Sequence, residues 1–285
     1  MRLSGCKQNG RNAVFLCPHL IKPALLIDFS SPIHYNISVC LKPGKEPPMK
    51  ASESPIGVIV AMEVELNTIL HAMEAPCHVR ISGMDFYRGS VNGKPVVTAR
   101  CGVGKICAAI CAQTMIREYA PQCILGAGIA GSLQGLPIGG VAVADDLAQH
   151  DFDLVAFGYP PGYIPALKSA FCVTDERMRN TLTALAEEMG VAHERGTIIS
   201  GDSFISSEAK KQQLIRDFPA AAACEMEGAA IAQVCCMNGL PFAVIRAISD
   251  NGDEDSKEDY PAHEAMAADV SARMVLAFIN RYEGE

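Results

Sequence analysis

Short runs of apolar, β-branched residues alternate with amphipathic stretches along most of the chain. The run PIGVIVA (55–61) predicts a buried strand, and the stretch after it places Leu66, Ile69 and Leu70 on one face of a helix. An Asn-Gly pair at 92–93 between two alternating stretches predicts a hairpin. Because strand and helix patterns continue to alternate, the sequence is typical of an α/β layered domain.

The remaining elements are predicted from the same two periodicities. Further strands are predicted at 78–82, 84–91, 94–100, 122–128, 139–146, 195–201 and 241–249. Helices are predicted at 105–118, 175–189, 208–216, 225–238 and 260–282.

Composition limits the kinds of partner. The 285 residues include 24 basic and 32 acidic side chains, which give a formal net charge of −8. This charge disfavours non-specific binding to nucleic acid or to an anionic membrane surface, and no apolar run reaches transmembrane length. We therefore expect a small-molecule partner or another protein chain. Twelve cysteines without a CxxC pair predict buried thiols in a reducing, cytoplasmic location.

Residues 1–50 differ in charge from the rest of the chain. They hold seven basic and two acidic residues, whereas 51–285 is strongly acidic, and this shift predicts a boundary between an N-terminal extension and one domain at 51–285. Two interpretations of the extension stay open. It is a disordered basic tail, or it is not translated natively, because Gly44-Lys45-Glu46 is what a ribosome-binding sequence would encode ahead of a start at Met49.

Carboxylates occur in apolar surroundings after three of the predicted strands. Glu65 follows the first strand, Glu225 and Glu227 interrupt the apolar segment AAAACEMEGAAIAQVCC, and Asp250 follows RAIS. A buried carboxylate without partners costs several kcal/mol, and ligands of open α/β sheets bind at the carboxyl ends of strands. Taken alone, Glu65 could instead be an ordinary helix-start carboxylate. Together they predict a pocket for a reaction with a cationic transition state, such as cleavage at the anomeric carbon of a sugar.

Three other motifs do not carry a cofactor or metal site. GAGIAG (126–131) fits a dinucleotide fingerprint, but SLQGLPIGG follows it where a helix is needed, so a tight turn is predicted. GVGK (102–105) lacks the first glycine of a P-loop and has Ile106 where a hydroxyl should hold magnesium. The acidic stretch at 249–260 does not have the spacing of a calcium-binding EF-hand.

Seven motifs in order resemble the 5′-methylthioadenosine/S-adenosylhomocysteine nucleosidases of the purine nucleoside phosphorylase superfamily. They are GVIVAMEVEL (57–66), GVGKICAA (102–109), GAGIAGSL (126–133), HDFDLVAFGYPPGYIPA (150–166), SGDSFI (200–205), CEMEGAAIAQVC (224–235) and RAISD (246–250). The resemblance spans about 57–280. It implies a three-layer α/β/α domain on a twisted mixed sheet. It also implies a homodimer that hydrolyses the adenine N-glycosidic bond without metal or cofactor.

The resemblance also implies roles for individual carboxylates. Glu65 would be the base that polarises the attacking water, and Asp250 the acid that directs a proton to adenine N7. Glu227 would hold the ribose hydroxyls. Glu225 receives no catalytic role, and we expect it to point away or to serve the helix start.

Further substrate contacts are implied in the same way. Met226 would pack on the ribose, Phe204 would stack on adenine, and the backbone at Ile205 would read the adenine edge. The pocket lining and the water site would include Met62, Val103, Tyr260 and Arg246. The slot for the 5′-alkylthio group would be closed by two residues of the partner chain, Phe157 and Pro165.

One position departs from the family pattern. Many relatives have serine in the glycine turn where this chain has Ile129, so the hydroxyl that would help to hold the water is missing. Two alternatives to the nucleosidase therefore stay open: a phosphorylase or hydrolase of another adenine nucleoside, and a nucleoside-binding protein without turnover. The presence of Glu65, Glu227 and Asp250 together favours an enzyme, because a binder needs no acid at N7.

Overall fold

The computed structural model describes residues 54–284 and a two-residue strand at Ser38–Val39. Apart from that strand, the predicted N-terminal extension lies outside the described residues. Within the described part of the chain, no helix has the length and apolar character needed to cross a membrane.

Twelve strands and six α-helices make up the described structure. The strands are β1 (Ser38–Val39), β2 (Ile56–Val60), β3 (Glu74–Ile81), β4 (Met84–Val91), β5 (Lys94–Arg100), β6 (Cys123–Gly126), β7 (Ile129–Ser132), β8 (Val141–Gln149), β9 (Cys172–Val173), β10 (His193–Ser200), β11 (Ala221–Glu225) and β12 (Phe242–Asp250). The helices are α1 (Glu63–Ala72), α2 (Lys105–Tyr119), α3 (Glu176–Glu188), α4 (Glu208–Asp217), α5 (Gly228–Asn238) and α6 (Ser256–Arg281).

The strands form one mixed sheet with helices on both faces. Its order is β1-β3-β4-β5-β2-β6-β12-β7-β11-β10-β8-β9, and β8 also pairs with β12. The strands β5, β2, β6 and β12 run parallel, whereas β3, β4 and β5 form antiparallel hairpins. Helices α1, α3 and α6 contribute to one apolar core, α2 and α5 to a second, and α4 to a smaller third one. The predicted three-layer α/β/α class is therefore confirmed.

The predicted secondary structure is wrong in the alanine-rich segment that precedes Glu227. The helix predicted at 225–238 begins only at Gly228, because 221–225 forms strand β11. This strand lies between β7 and β10 and is buried along its whole length. Pairing with two neighbouring strands overrides the helix propensity of alanine. The strand predicted at 122–128 ends at Gly126, and the end of the segment GAGIAG, predicted as a tight turn, forms strand β7 from Ile129 onward.

Candidate active site

A cavity of about 440 Å³ lies at the carboxyl ends of β2, β11 and β12. It brings together nine of the twelve residues predicted to act on or contact the substrate: Met62, Glu65, Val103, Phe204, Met226, Glu227, Arg246, Asp250 and Tyr260. Its remaining lining comprises Ala61, Gly128, Ile129, Ala130, Gly131, Cys224, Glu225, Ser249 and Lys257. The carboxylates that follow three different strands therefore converge, as the sequence predicts.

Glu65 lies in the first turn of α1 and is 1% exposed. Its Oε2 accepts hydrogen bonds of 3.0 Å from the backbone N–H groups of Ala61 and Met62. Its Oε1 forms no hydrogen bond of standard geometry with any described residue. Burial raises the pKa of Glu65, and the Met62 amide, Arg246 and the Ala61 amide oppose this rise, with a smaller contribution from the Ile129 amide. The side chain is thus held through one oxygen while the other stays available.

The glycine turn makes room for this carboxylate. A Cβ at Gly128 would lie 2.9 Å from Glu65 Oε1 and 3.5 Å from the Arg246 guanidinium carbon. Such a contact is closer than real Cβ atoms allow, so a larger residue would displace the glutamate. Ile129, which follows this glycine, lines the cavity with an apolar side chain.

Glu225, the last residue of β11, is fully engaged with the protein. Its Oε2 accepts hydrogen bonds from the backbone N–H groups of Glu227 (3.0 Å) and Gly228 (2.8 Å) at the start of α5. The same oxygen accepts from Arg246 Nε (3.1 Å) and Nη2 (2.5 Å). Its Oε1 accepts from the Ser200 hydroxyl. Glu225 therefore serves the helix start, which is one of the two expectations for it, and it also neutralises a buried arginine.

Glu227 lies two residues further on and has very different surroundings. It is 6% exposed, and its carboxylate accepts one hydrogen bond from the described residues, from the Gly104 backbone N–H to Oε1, at 2.8 Å. Burial and the neighbouring Glu225 charge raise the pKa of Glu227 to about 7, against the lowering effects of Arg246 and the Gly104 amide. Most of its hydrogen-bonding capacity is therefore free for a ligand.

Asp250 ends β12 and is 2% exposed. The Ser249 hydroxyl donates to its Oδ2 and the Gly252 backbone N–H to its Oδ1, both at 2.9 Å. A Cβ at Gly131 would lie 2.8 Å from Oδ1, so the adjacent strand β7 needs glycine there. These contacts fix the orientation of the carboxyl group at the cavity wall.

The outer wall of the cavity is aromatic and apolar. Phe204 and Tyr260 meet edge to face, with ring centroids 5.6 Å apart, and the Tyr260 hydroxyl donates to Met62 Sδ at 3.1 Å. Burial raises the pKa of Tyr260 to about 12, so its phenol is neutral at physiological pH. Val103 and Phe204 remain 57% and 46% exposed. This wall can therefore cover a large apolar group of a ligand.

Three predicted site residues lie outside this cavity. Ile205 is buried and borders a smaller cavity of about 30 Å³ that shares Phe204 and Asp250 with the main one. Phe157 is 78% exposed, and Pro165 is also exposed. Neither of these two lines the cavity of its own chain, so their contribution to a neighbouring site stays a prediction.

Several residues that support the site were not predicted from the sequence. Ser200 both donates to Glu225 and accepts from the Ala229 backbone N–H at 2.7 Å. Ser249 orients Asp250, and its position directly before that residue is the signal that could have found it. Nothing in the local pattern marks Cys224 or Lys257, which reach the cavity only through the fold.

Comparisons with known proteins agree on one family. The model of the family described as "Phosphorylase superfamily" matches residues 55–280. A 5′-methylthioadenosine/S-adenosylhomocysteine nucleosidase of Shewanella halifaxensis (strain HAW-EB4) is 39% identical over 227 residues, which are 79% of this chain and 99% of that protein.

Two solved structures have the same fold. The nucleosidase of the same name from Neisseria meningitidis, in complex with methylthio-immucillin-A, is 36% identical with a TM-score of 0.78 and covers 80% of this chain and 100% of its own. The futalosine hydrolase of Helicobacter pylori strain 26695 is 34% identical with a TM-score of 0.76 and covers 81% and 99%. The resemblance predicted from the seven motifs is confirmed.

Proposed function

Because the chain belongs to the phosphorylase superfamily, we propose that it hydrolyses the adenine N-glycosidic bond of 5′-methylthioadenosine and S-adenosylhomocysteine. The products are adenine and the 5-thio-substituted ribose. The observation that carries this proposal is the meeting of Glu65, Glu227 and Asp250 in one buried cavity. Three carboxylates there suit a reaction that forms an oxocarbenium ion and needs both a base and an acid.

Glu65 is the base in this proposal. Its free Oε1 accepts a proton from water as that water attacks the anomeric carbon. The raised pKa of Glu65 suits the role, since a general base works best when its pKa lies near the working pH. The hydrogen bonds from the Ala61 and Met62 amides to Oε2 fix the orientation of the side chain while Oε1 accepts the proton.

Glu227 holds the ribose. Its carboxylate accepts hydrogen bonds from the ribose hydroxyls, and its negative charge stabilises the cationic sugar ring of the transition state. The Gly104 amide orients Oε1 and leaves Oε2 for the substrate. Met226, which also lines the cavity, packs against the same sugar.

Asp250 delivers a proton to adenine N7. An adenine anion is a poor leaving group, so protonation during departure lowers the barrier. Ser249 and Gly252 hold the carboxyl group in one orientation, so that little reorganisation is needed. Phe204 stacks on the base, and the backbone at Ile205 reads its edge.

The proposed nucleophile is water rather than phosphate. Glu65 and the apolar Ile129 form the side of the cavity from which the nucleophile attacks, and the nearby Arg246 is already paired with Glu225. At about 4 Å and an effective dielectric near 20, repulsion between one Glu65 charge and one phosphate charge is on the order of 4 kcal/mol. This would exclude phosphate by roughly a thousandfold.

We also propose a homodimer in which Phe157 and Pro165 of one chain close the 5′-alkylthio slot of the other. Phe157 ends a single 3₁₀ turn, Val155–Phe157, and such an exposed aromatic side chain is typical of an interface. A cytoplasmic location stays a prediction. Of the nine cysteines among the described residues, eight are free, six of these are buried, and Cys77 is disulfide-bonded.

An assay of adenine release in phosphate-free buffer, with and without added phosphate, tests the proposal. We expect full activity without phosphate and free 5-methylthioribose as the product. A rate proportional to phosphate, or a ribose 1-phosphate product, would establish a phosphorylase instead. Binding of methylthioadenosine without adenine release would establish a binding protein. A matched Glu65→Gln variant controls for contaminating activity, since it should abolish release and keep the fold.

A further inference from the structure

One lysine stands at the mouth of the active-site cavity. Lys257 is the second residue of α6, lines the cavity and is exposed to solvent. It precedes Tyr260 by three residues, so the two side chains lie on the same face of the helix. Tyr260 in turn contacts Met62 across the apolar wall. Lys257 therefore lies at the solvent end of the apolar wall formed by Met62 and Tyr260, along which a 5′ substituent would leave the cavity.

The charge of Lys257 is not neutralised within the site. The cavity lining contains two cations, Lys257 and Arg246. Arg246 is 2% exposed and bound by Glu225 at 2.5 Å. Lys257, by contrast, makes no hydrogen bond or ion pair with another residue of the described part of the chain. It is thus the cavity's available partner for an anionic group.

The acidic residues close to Lys257 in the sequence do not line the cavity beside it. Asp253 accepts a hydrogen bond from the Asp255 backbone N–H, and Glu254 accepts one from the Glu208 backbone N–H at 3.0 Å. None of the acidic residues between 253 and 259 lines the cavity. Their field weakens the attraction of Lys257 for an anion, but Lys257 is the residue of this segment that lines the cavity together with Tyr260.

We propose that Lys257 binds a carboxylate on the 5′ substituent, so that the enzyme favours adenosine thioethers with a carboxylate-bearing tail over neutral ones of equal length. This inference rests on the proposed function. The homocysteine tail of S-adenosylhomocysteine belongs to the favoured class. Because the ion pair is exposed, its contribution to kcat/KM is about three- to fivefold.

Four substrates separate charge from length. They are the 5′-butylthio (neutral), 5′-(3-carboxypropyl)thio (anionic) and 5′-(3-aminopropyl)thio (cationic) derivatives of 5′-deoxyadenosine, and S-adenosylhomocysteine itself. In Lys257→Met, kcat/KM should fall about three- to fivefold for the anionic substrate and for S-adenosylhomocysteine, and should stay unchanged for the neutral one. Lys257→Arg should retain the preference. The loss should shrink in 0.5 M salt, where exposed charges are screened within about 5 Å.

Lys210→Met is the matched control. It removes the same charge from α4, where Lys210 donates to Gln213 outside the cavity, and it should leave all four values unchanged. Equal values for the neutral and anionic substrates in the wild type, or equal losses on both in Lys257→Met, would overturn the inference while leaving hydrolysis established. No adenine release from any of the four substrates would instead refute the proposed function.

Discussion

Replacing Glu227 by glutamine should stabilise the protein at pH 8 even though it damages the site. The Glu227 carboxylate is buried and receives one hydrogen bond from the described residues, so its ionised form is held in surroundings that disfavour it. Its pKa rises from the ordinary 4.5 to about 7 for that reason and because of the nearby Glu225 charge. A glutamine keeps the oxygen that accepts from Gly104 but carries no charge.

The size and sign of the effect follow from proton linkage. Between pH 4.5 and about 7 the native state binds a proton at Glu227 that the unfolded state has lost, so the stability of the wild type falls as pH rises. Above about pH 7 Glu227 is ionised in both the native and the unfolded state, and the cost of its ionisation to stability no longer changes with pH. At about 1.4 kcal/mol per pKa unit, it amounts to roughly 3 kcal/mol. Glu227→Gln should therefore raise the free energy of unfolding by up to this amount at pH 8 and change it little at pH 4.5.

Urea unfolding at pH 4.5 and pH 8, at one protein concentration, measures this difference. Glu225→Gln is the matched control, because Glu225 is a buried glutamate two residues before Glu227. That substitution breaks a buried ion pair with Arg246, so it should destabilise by about 3–5 kcal/mol. If Glu227→Gln were less stable than the wild type at pH 8, the argument that an ionised Glu227 is kept at a cost to folding would be wrong.

Three further changes test the site and the assembly. Asp250→Asn should lower kcat for adenine release by about 10²–10⁴ while calorimetry shows retained nucleoside binding, and near wild-type turnover would exclude Asp250 as the acid. Gly128→Ala should place a methyl group 2.9 Å from Glu65 Oε1 and lower kcat by about 10²-fold with little change in Tm, and an unchanged kcat would contradict the role of that oxygen. Phe157→Ala should raise KM for long 5′-alkylthio substrates more than for adenosine, and a fully active monomer by light scattering would rule out a shared slot.

The sequence by itself determined the layered fold and the positions of the main carboxylates. The strands around Val58 and Ile245 are predicted from local apolar runs, because a strand buried on both faces needs such a run wherever it lies in the sheet. Glu65 lies in the helix that follows the first of these strands, Asp250 ends the second, and the carboxyl ends of neighbouring parallel strands meet at one edge. Their convergence could therefore be predicted before any distance was known.

The tertiary structure supplied the physical reason for the separate roles that the family resemblance implies for the two glutamates. Glu225 and Glu227 stand in the same apolar segment, and local pattern does not separate a structural from a functional carboxylate. The difference comes from Ser200 and Arg246, which lie on other strands and engage Glu225, whereas Glu227 meets a single amide of the turn before α2. The alanine-rich strand β11 and the position of Lys257 at the cavity mouth were decided in the same way. Each depends on partners distant in sequence, and the hydrogen bonds and charges that those partners supply appear only when the chain is folded.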